Sequence, residues 1–308
     1  MQLAIIRGAG SNSAGTIYLN SHALAWPNDI RFTAADGTTI LDFYREENDA
    51  TDGTWHVELN SISASGDTDF YCYYGKTSDT NASSGPNTFI FFDDFELHTY
   101  ARWTAAQSSW GTTPQGTVKF NGSYAAKGLG SSNQKLYKTW SPAKTAPMLY
   151  RVRAYVSDTI HTPILICPRN DDNDYLGAVA FQTDGHFIYF NGAIWVNLPT
   201  DTTYAATTWY LVEVVLDISA AKYFWWINGA YKGTANMLDA TGGAVTGLNR
   251  LEIDSCATAS LYIDDLWVRN WANPEPAWAT PGTEEIAAAT TSLVVPAFRH
   301  RFNAIIVR

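Results

Sequence analysis

Short runs of Val, Ile, Thr and aromatic residues recur along the chain, and Gly, Asn, Asp or Pro break them. "GTIYLN", "DIRFT", "TWHVEL", "DFYCYYG", "LYRVRAYV", "WYLVEVVLD" and "LYIDDLWVRN" are examples. Successive side chains of a strand point to opposite faces, so runs of this length between turn residues predict strands. Their regular spacing predicts an all-β chain of the sandwich or barrel type. Asp-Gly in "TDGH" and Asn-Gly in "INGAYKG" readily take positive φ and read as hairpin turns. "KYFWWINGAYKG" is then one hairpin with Asn228 and Gly229 at its tip. Helical signals are weak; "TPGTEEIAAAT" hints at a helical turn and reads equally as a linker.

At 308 residues the chain exceeds what one small domain needs. The pattern lapses at "KTSDTNASSGPNT", a Ser/Asn/Gly-rich stretch without apolar periodicity. This sets a small domain at 1–85, a larger one at 86–272, and a tail at 273–308. The tail opens with the proline-rich "NPEPAWATPG" and ends with the strand-like "SLVVPAFRHRFNAIIVR".

Aromatic residues make up 14% of the chain; they read first as strand formers that fill sandwich cores, and in a polar chain any left for the surface suit sugar binding or a protein interface. The formal charge of −10 argues against nucleic acid and anionic membrane, which need clustered Lys and Arg. No apolar run is long enough for a membrane span. The opening "MQLAIIRGAG" lacks the apolar region of a signal peptide. The chain is then cytosolic, a virion component or an excerpt of a longer exported protein. The cysteines Cys72, Cys167 and Cys256 form no ligand motif. Cys72 reads as a small buried thiol in a strand, and Cys167 and Cys256 as a pair that a folded sheet can bring together.

"DIRFTAADGTTILDFYREE", "SISASGDTDFYCYYG", "NTFIFFDDFE" and "YIDDLWVRNWANPEP" together resemble a domain of unknown function (number 2341). In archaeal, bacterial and viral surface proteins that domain precedes a concanavalin A-like, LamG-type jelly roll. The resemblance covers residues 3–276 and implies a small N-terminal β-sandwich, a jelly-roll β-sandwich and a C-terminal strand-forming tail. Its relatives are read as adhesion or carbohydrate-binding modules, and the jelly roll also hosts glycanases, so fold alone does not choose. Relatives carry a further strand before the segment like "QLAIIRGAGSNSAGTIYLN", and this chain starts without it. A missing strand leaves an open sheet edge. The tail strand, residues 293–308, can fill that edge in its own chain or in a neighbour, and the second case makes a homo-oligomeric ring or filament. Alternatively the tail packs on the jelly roll.

Two acidic doublets sit inside apolar strand patterns, Asp93-Asp94 in "FIFFDDFE" and Asp264-Asp265 in "LYIDDLWV". Strict alternation sets Phe91, Asp93 and Phe95 on one face, and Ile263, Asp265 and Trp267 on one face opposite Tyr262 and Asp264. One Asp of each pair then faces an apolar layer, where a bare carboxylate is expensive and needs a partner. Three readings compete. Two carboxylates about 5–10 Å apart serve a glycoside hydrolase. Laminarinase-type jelly rolls carry Glu-x-Asp-x-x-Glu on one strand; "LEIDSCAT" supplies Glu252 and Asp254, but Ala257 stands in the third position, and Glu213 and Asp217 have the wrong spacing. Calcium is the second reading, with Asp93, Asp94, Asp264 and Asp265 as ligands and Asp94 and Asp264 foremost, if the first and last strands of the sandwich are neighbours. In the third, the carboxylates accept backbone or Arg hydrogen bonds at strand ends or bulges.

Sugar binding needs flat rings backed by polar groups. Trp195, Tyr175 and Trp226 are the candidates, with Trp110 and Trp225 behind them. Adjacent Trp225 and Trp226 face opposite ways, so one enters the core. "NDDND" is acidic but lacks the length of a calcium-binding EF loop, and no nucleophile elbow, phosphate loop or zinc signature is present. The leading expectation is a non-enzymatic surface protein for adhesion or recognition of a glycan or cell-surface polysaccharide, with no organic cofactor. A structural subunit joined by its tail strand and a glycanase are the alternatives.

Overall fold

A computed structural model describes the chain apart from residues 47–49, 64–66, 129–133, 161, 171–175, 192, 199–201, 238–244, 256–259, 287–297 and 306–308. The fold is all-β, as the alternation predicts. Strands β1 (Gln2–Ile6), β2 (Thr16–Tyr18), β3 (Arg31–Ala34), β4 (Ile40–Leu41), β5 (Phe43–Glu46), β6 (Asp52–Val57) and β7 (Thr68–Tyr74) come first. Then follow β8 (Phe91–Asp93), β9 (Ala105–Ala106), β10 (Ala126–Gly128), β11 (Lys135–Lys144), β12 (Met148–Val156), β13 (Ile164–Arg169) and β14 (Val179–Phe181). Next are β15 (Phe187–Phe190), β16 (Trp195–Asn197), β17 (Trp209–Asp217), β18 (Lys222–Ile227), β19 (Ala230–Asn236), β20 (Leu248–Asp254) and β21 (Leu261–Asn270). The tail adds β22 (Ala277–Trp278), β23 (Glu285–Ile286) and β24 (Phe298–Ile305). Two compact units result, Met1–Phe89 with Ala272–Arg308, and Ile90–Trp271.

In the unit formed by the two chain ends, one sheet runs β2-β1-β6-β5 and the other β22-β24-β7-β3-β4, with β23 also on β24. Alternation sends Leu3 and Ile5 of β1 and Phe70, Cys72 and Tyr74 of β7 into one shared core. Trp55 lies at its centre, 1% exposed, with the rings of Trp26, Phe32 and Phe43 at 6.0, 6.1 and 5.5 Å. The tail strand β24 runs antiparallel to β7 from Phe298↔Tyr74 to Ala304↔Thr68, so it closes that edge within its own chain. On its other side β22 and β23 pair with it. Trp278 Nε1 donates to the Gln2 carbonyl at 2.7 Å. The Tyr74 hydroxyl donates to Glu284 at 2.6 Å. The hint of a helix in "TPGTEEIAAAT" is overridden at Glu285–Ile286, where β24 offers backbone partners to an extended chain.

In the Ile90–Trp271 unit two seven-stranded sheets enclose a second core. One runs β10-β21-β12-β17-β18-β19 with β8 also on β21, and the other runs β16-β15-β14-β13-β20-β11-β9. Met148, Tyr150, Val152, Ala154 and Val156 of β12 face that core, and Leu149, Arg151, Arg153 and Tyr155 point away from it. The β18–β19 hairpin turns at Asn228 and Gly229, whose φ values are 50° and 75°. Trp225 is buried in the core and Trp226 stands on the opposite face.

The first and last strands of this unit are neighbours, with Phe91↔Val268, Phe92↔Trp267 and Asp93↔Leu266. One expectation about faces fails here. Opposite β12 the register jumps from Trp267 at Arg151 to Asp264 at Arg153, a bulge that inserts an extra residue. Asp265 takes φ 45° in it. The bulge resets the alternation: Ile263 and Leu266 enter the core, and Trp267 joins Tyr262 and Asp264 on the outer face. Cys72 and Cys167 are free and buried, and Cys256 lies outside the described residues.

Candidate functional site

Each acidic doublet contributes one buried carboxylate. Asp93 accepts the Trp103 ring N–H at 2.7 Å and the Phe95 backbone N–H at 2.9 Å. Burial pushes its carboxyl up to about 6, against those donors and Arg102. Asp94 is half-buried and lies 3.4 Å from the Arg102 guanidinium. Asp264 is 1% exposed and accepts the backbone N–H groups of Phe120, Asn121 and Asp265 at 2.9, 3.2 and 2.9 Å. Burial, and after it the Asp265 charge, push Asp264 up to about 8, against the pull of those N–H groups.

Together the two segments hold one loop. Gln115 and Ala125 close its neck with reciprocal backbone hydrogen bonds of 2.9 Å. Asp264 grips it at Phe120 and Asn121, and Glu96, two residues after the first doublet, accepts the N–H groups of Ser123 and Tyr124 at 2.8 and 2.9 Å. Gly122 between these anchors has φ 58° and lies against Glu96, so a β-carbon there would run into the carboxylate. Among the described residues no group of three or more His, Cys, Asp or Glu is placed to hold a metal ion. Protein N–H groups and Arg102 bond oxygens of Asp93, Asp94 and Asp264.

The loop carries Phe120 over the outer face of the β12 sheet. Its ring covers the Arg153 guanidinium at 4.2 Å and meets the Trp209 ring at 5.9 Å. Beneath lies a row in direct cross-strand register over four strands, Lys127–Tyr262–Tyr155–Trp209. Tyr155 is 5.4 Å from both the Tyr262 and the Trp209 ring, and Lys127 lies 5.5 Å over the Tyr262 ring. Phe120 is 43% exposed, and Tyr155, Trp209, Arg153 and Lys127 are half-buried. A further row on the same face runs Trp267–Arg151–Glu213–Trp226. Trp226 there packs on Tyr231, which is 55% exposed.

Of the rings picked from sequence, Trp226 belongs to this face. Trp195 stands on the other sheet, on its outermost strand β16, against Phe190. Tyr175 and the "NDDND" acids after Asn170 lie outside the described residues. Trp110 is a core residue that donates to the Gln134 carbonyl at 3.2 Å, and Trp225 is another, because their positions face inward. Sequence reasoning missed Phe120, Tyr155, Trp209 and Tyr262. Alternation in "LYRVRAYV" marks Arg151, Arg153 and Tyr155 as one face, but the register that lines up four strands is a long-range property.

The near-catalytic stretch "EIDSCA" lies on the other sheet. Glu252 is fully buried and meets Arg169 Nε, Lys135 Nζ at 3.1 Å and Arg250 Nη2 at 2.9 Å. Its neighbour Asp254 is 3% exposed. Ala257 lies outside the described residues. Glu213 pairs with Arg151 at 3.9 Å, and Asp217 caps a turn through Ser219 and Ala220.

The family described as a domain of unknown function, DUF2341, matches residues 26–112. No curated protein matches the chain. Among solved structures, a sialidase is 16% identical, with a TM-score of 0.45 and coverage of 69% of this chain and 22% of the other. The chain thus spans under a quarter of that sialidase. A galectin of Caenorhabditis elegans is 13% identical, with a TM-score of 0.34 and coverage of 47% of this chain and 96% of its own. A carbohydrate-binding module of Bacillus subtilis is 9% identical, with a TM-score of 0.35 and coverage of 47% and 86%. No described helix is long and apolar enough to cross a membrane.

Proposed function

We propose that the Ile90–Trp271 unit is a non-enzymatic carbohydrate-recognition module of a cell-surface or virion-surface protein, used for adhesion to a glycan. The carrying observation is the row Lys127–Tyr262–Tyr155–Trp209 with Phe120 and Arg153 at its edge. Sugar C–H faces stack on rings, and sugar hydroxyls need hydrogen-bonding groups beside them; half-buried Tyr155 and Trp209 with exposed Phe120 offer the rings, and Lys127 and Arg153 offer donors. The anchored loop fixes Phe120 before a ligand arrives, which lowers the ordering cost of binding. The carboxylates of this face serve structure: Asp264 anchors the loop and Glu213 pairs with Arg151.

A glycan array tests this with the wild-type chain, Trp209→Ala, Phe120→Ala and Trp195→Ala, each checked by thermal unfolding. Folded Trp209→Ala and Phe120→Ala are expected to lose about tenfold or more in affinity, and Trp195→Ala to keep wild-type binding. Absence of glycan binding by the wild type, or wild-type binding by both ring variants of this face, would refute the reading. Release of reducing sugar from a bound polysaccharide would replace it with a hydrolase.

A further inference from the structure

The buried carboxylates of the Ile90–Trp271 unit are not alike. Asp93 and Asp264 each accept two or more N–H groups. Among the described residues Asp254 has no such donor: both its oxygens are buried without a hydrogen-bond partner. Buried polar groups are almost always paired, and a bare buried carboxylate is expensive, so Asp254 needs an explanation.

A lysine stands directly across the ladder. On β20 Leu251 and Ile253 enter the core, while Arg250, Glu252 and Asp254 share the opposite face. Strand pairing sets Lys135 of β11 opposite Asp254. Directly opposed residues have β-carbons about 4.5–5.5 Å apart, within the length of a lysine side chain. Lys135 Nζ lies 3.1 Å from Glu252, the neighbour of Asp254 on this face. Glu252 is itself held by Arg169 and, at 2.9 Å, by Arg250. The amine is thus kept beside the unpaired carboxyl, and rotation about the last bonds of Lys135 carries it across. Burial, and after it the Glu252 charge, push the Asp254 carboxyl up to about 6, toward the neutral acid that an amine can attack.

We propose that Lys135 and Asp254 condense into an intramolecular isopeptide bond that ties β11 to β20. Lys135 Nζ forms the new bond to Cγ of Asp254, and one Cγ–O bond breaks. The departing oxygen takes two protons from Nζ and leaves as water. An ammonium and a carboxylate thus give a secondary amide and water, and no oxidant, cofactor or further reactant is needed. Glu252, in contact with Nζ, relays the first proton. The positive field of Arg169 and Arg250 steadies the oxyanion formed during the attack. The water leaves past Lys135, whose side chain is 21% exposed. Burial of Asp254 then keeps out the water that would reverse the step. The product replaces two charges by one neutral amide, which removes the cost of the bare carboxylate. Before the bond forms, Asp254 titrates as a free carboxyl; afterwards it carries no charge. The cross-link is independent of glycan binding.

The test is the intact mass of the full chain, incubated folded above and below pH 6 and then measured in denaturant. The wild type is expected to be one water lighter than its sequence requires, and its proteolytic digest to contain a branched peptide joining Lys135 to Asp254. Lys135→Arg and Asp254→Ala should keep their full mass. Asp254→Asn should lose one ammonia in place of the water. Wild type held unfolded in urea should also keep its full mass, because only strand pairing brings the two side chains together. Lys135→Arg should melt below the cross-linked wild type, since a covalent link across a long loop restricts the unfolded chain. A folded wild-type chain that keeps its full mass overturns the proposal, whether or not the variants fold. A lost water that the digest places within one linear peptide marks a succinimide and overturns it as well.

Discussion

The Asp264 carboxylate accepts the backbone N–H of Phe120 at 2.9 Å across 144 residues of sequence. This bond places an aromatic ring over Arg153 and Trp209, so a buried acid at a strand bulge acts on an exposed surface. Replacing Asp264 by Ala strands three N–H groups and is expected to cost about 2 kcal/mol, together with the glycan affinity that Phe120 supports. Asp264→Asn keeps an acceptor oxygen and should cost less. Chemical denaturation of both variants measures the difference. Gly122→Ala should resemble Asp264→Ala in binding, since a β-carbon there displaces Glu96 from Ser123 and Tyr124.

The same carboxyl gives the unit a pH dependence. Asp264 rises on folding from 3.8 to about 8, and Asp93 and Asp254 rise from 3.8 to about 6. The folded chain therefore holds protons that the unfolded chain has released. Stability from these groups is full below about pH 4, falls as pH rises, and is gone above about pH 6 for Asp93 and Asp254 and about pH 8 for Asp264. Melting temperatures of wild type and Asp264→Asn across this range should diverge, with the variant flatter between about pH 6 and about pH 8. Parallel curves would remove Asp264 as the source.

Removal of residues 298–308 should unfold the unit built from the chain ends and spare the other. β24 supplies the partner of β7 from Tyr74 to Thr68, and without it that strand becomes an exposed edge beside Phe70, Cys72 and Tyr74. Calorimetry is expected to lose one transition and keep one, and the truncated chain should self-associate through the bare edge. A synthetic "FRHRFNAIIVR" peptide should restore the transition. Two intact transitions in the truncated chain would show that the strand is dispensable.

Local chemistry made much of this fold legible and left the site less so. The Asn228-Gly229 turn and the inward Trp225 follow from turn preference and period-two alternation, which act over a few residues. The face of Trp267 was hidden because one extra residue at Asp265 inverts every later side chain, and a bulge has no strong local signature. The ring row was hidden for a different reason. Lys127, Tyr155, Trp209 and Tyr262 are distant in sequence, and only strand register makes them one surface. The need for a carboxylate partner was legible, while the partner's identity, the backbone of Phe120 and Asn121, required the fold.

Calcium removal separates two roles for the doublets. Asp93 accepts the N–H groups of Trp103 and Phe95, Asp94 lies on Arg102, and Asp264 accepts three N–H groups. A cation at Asp94 would compete with the Arg102 guanidinium, and among the described residues no group of three or more His, Cys, Asp or Glu is placed to hold it. The melting temperature in EDTA is therefore expected to match that in calcium. A structural ion at a hundredfold excess over its Kd adds about 2.7 kcal/mol, which a thermal scan resolves easily. A calcium-dependent rise that Asp94→Ala and Asp264→Asn abolish would make the doublets a metal site; equal scans leave them as the hydrogen-bonded anchor of the Phe120 loop.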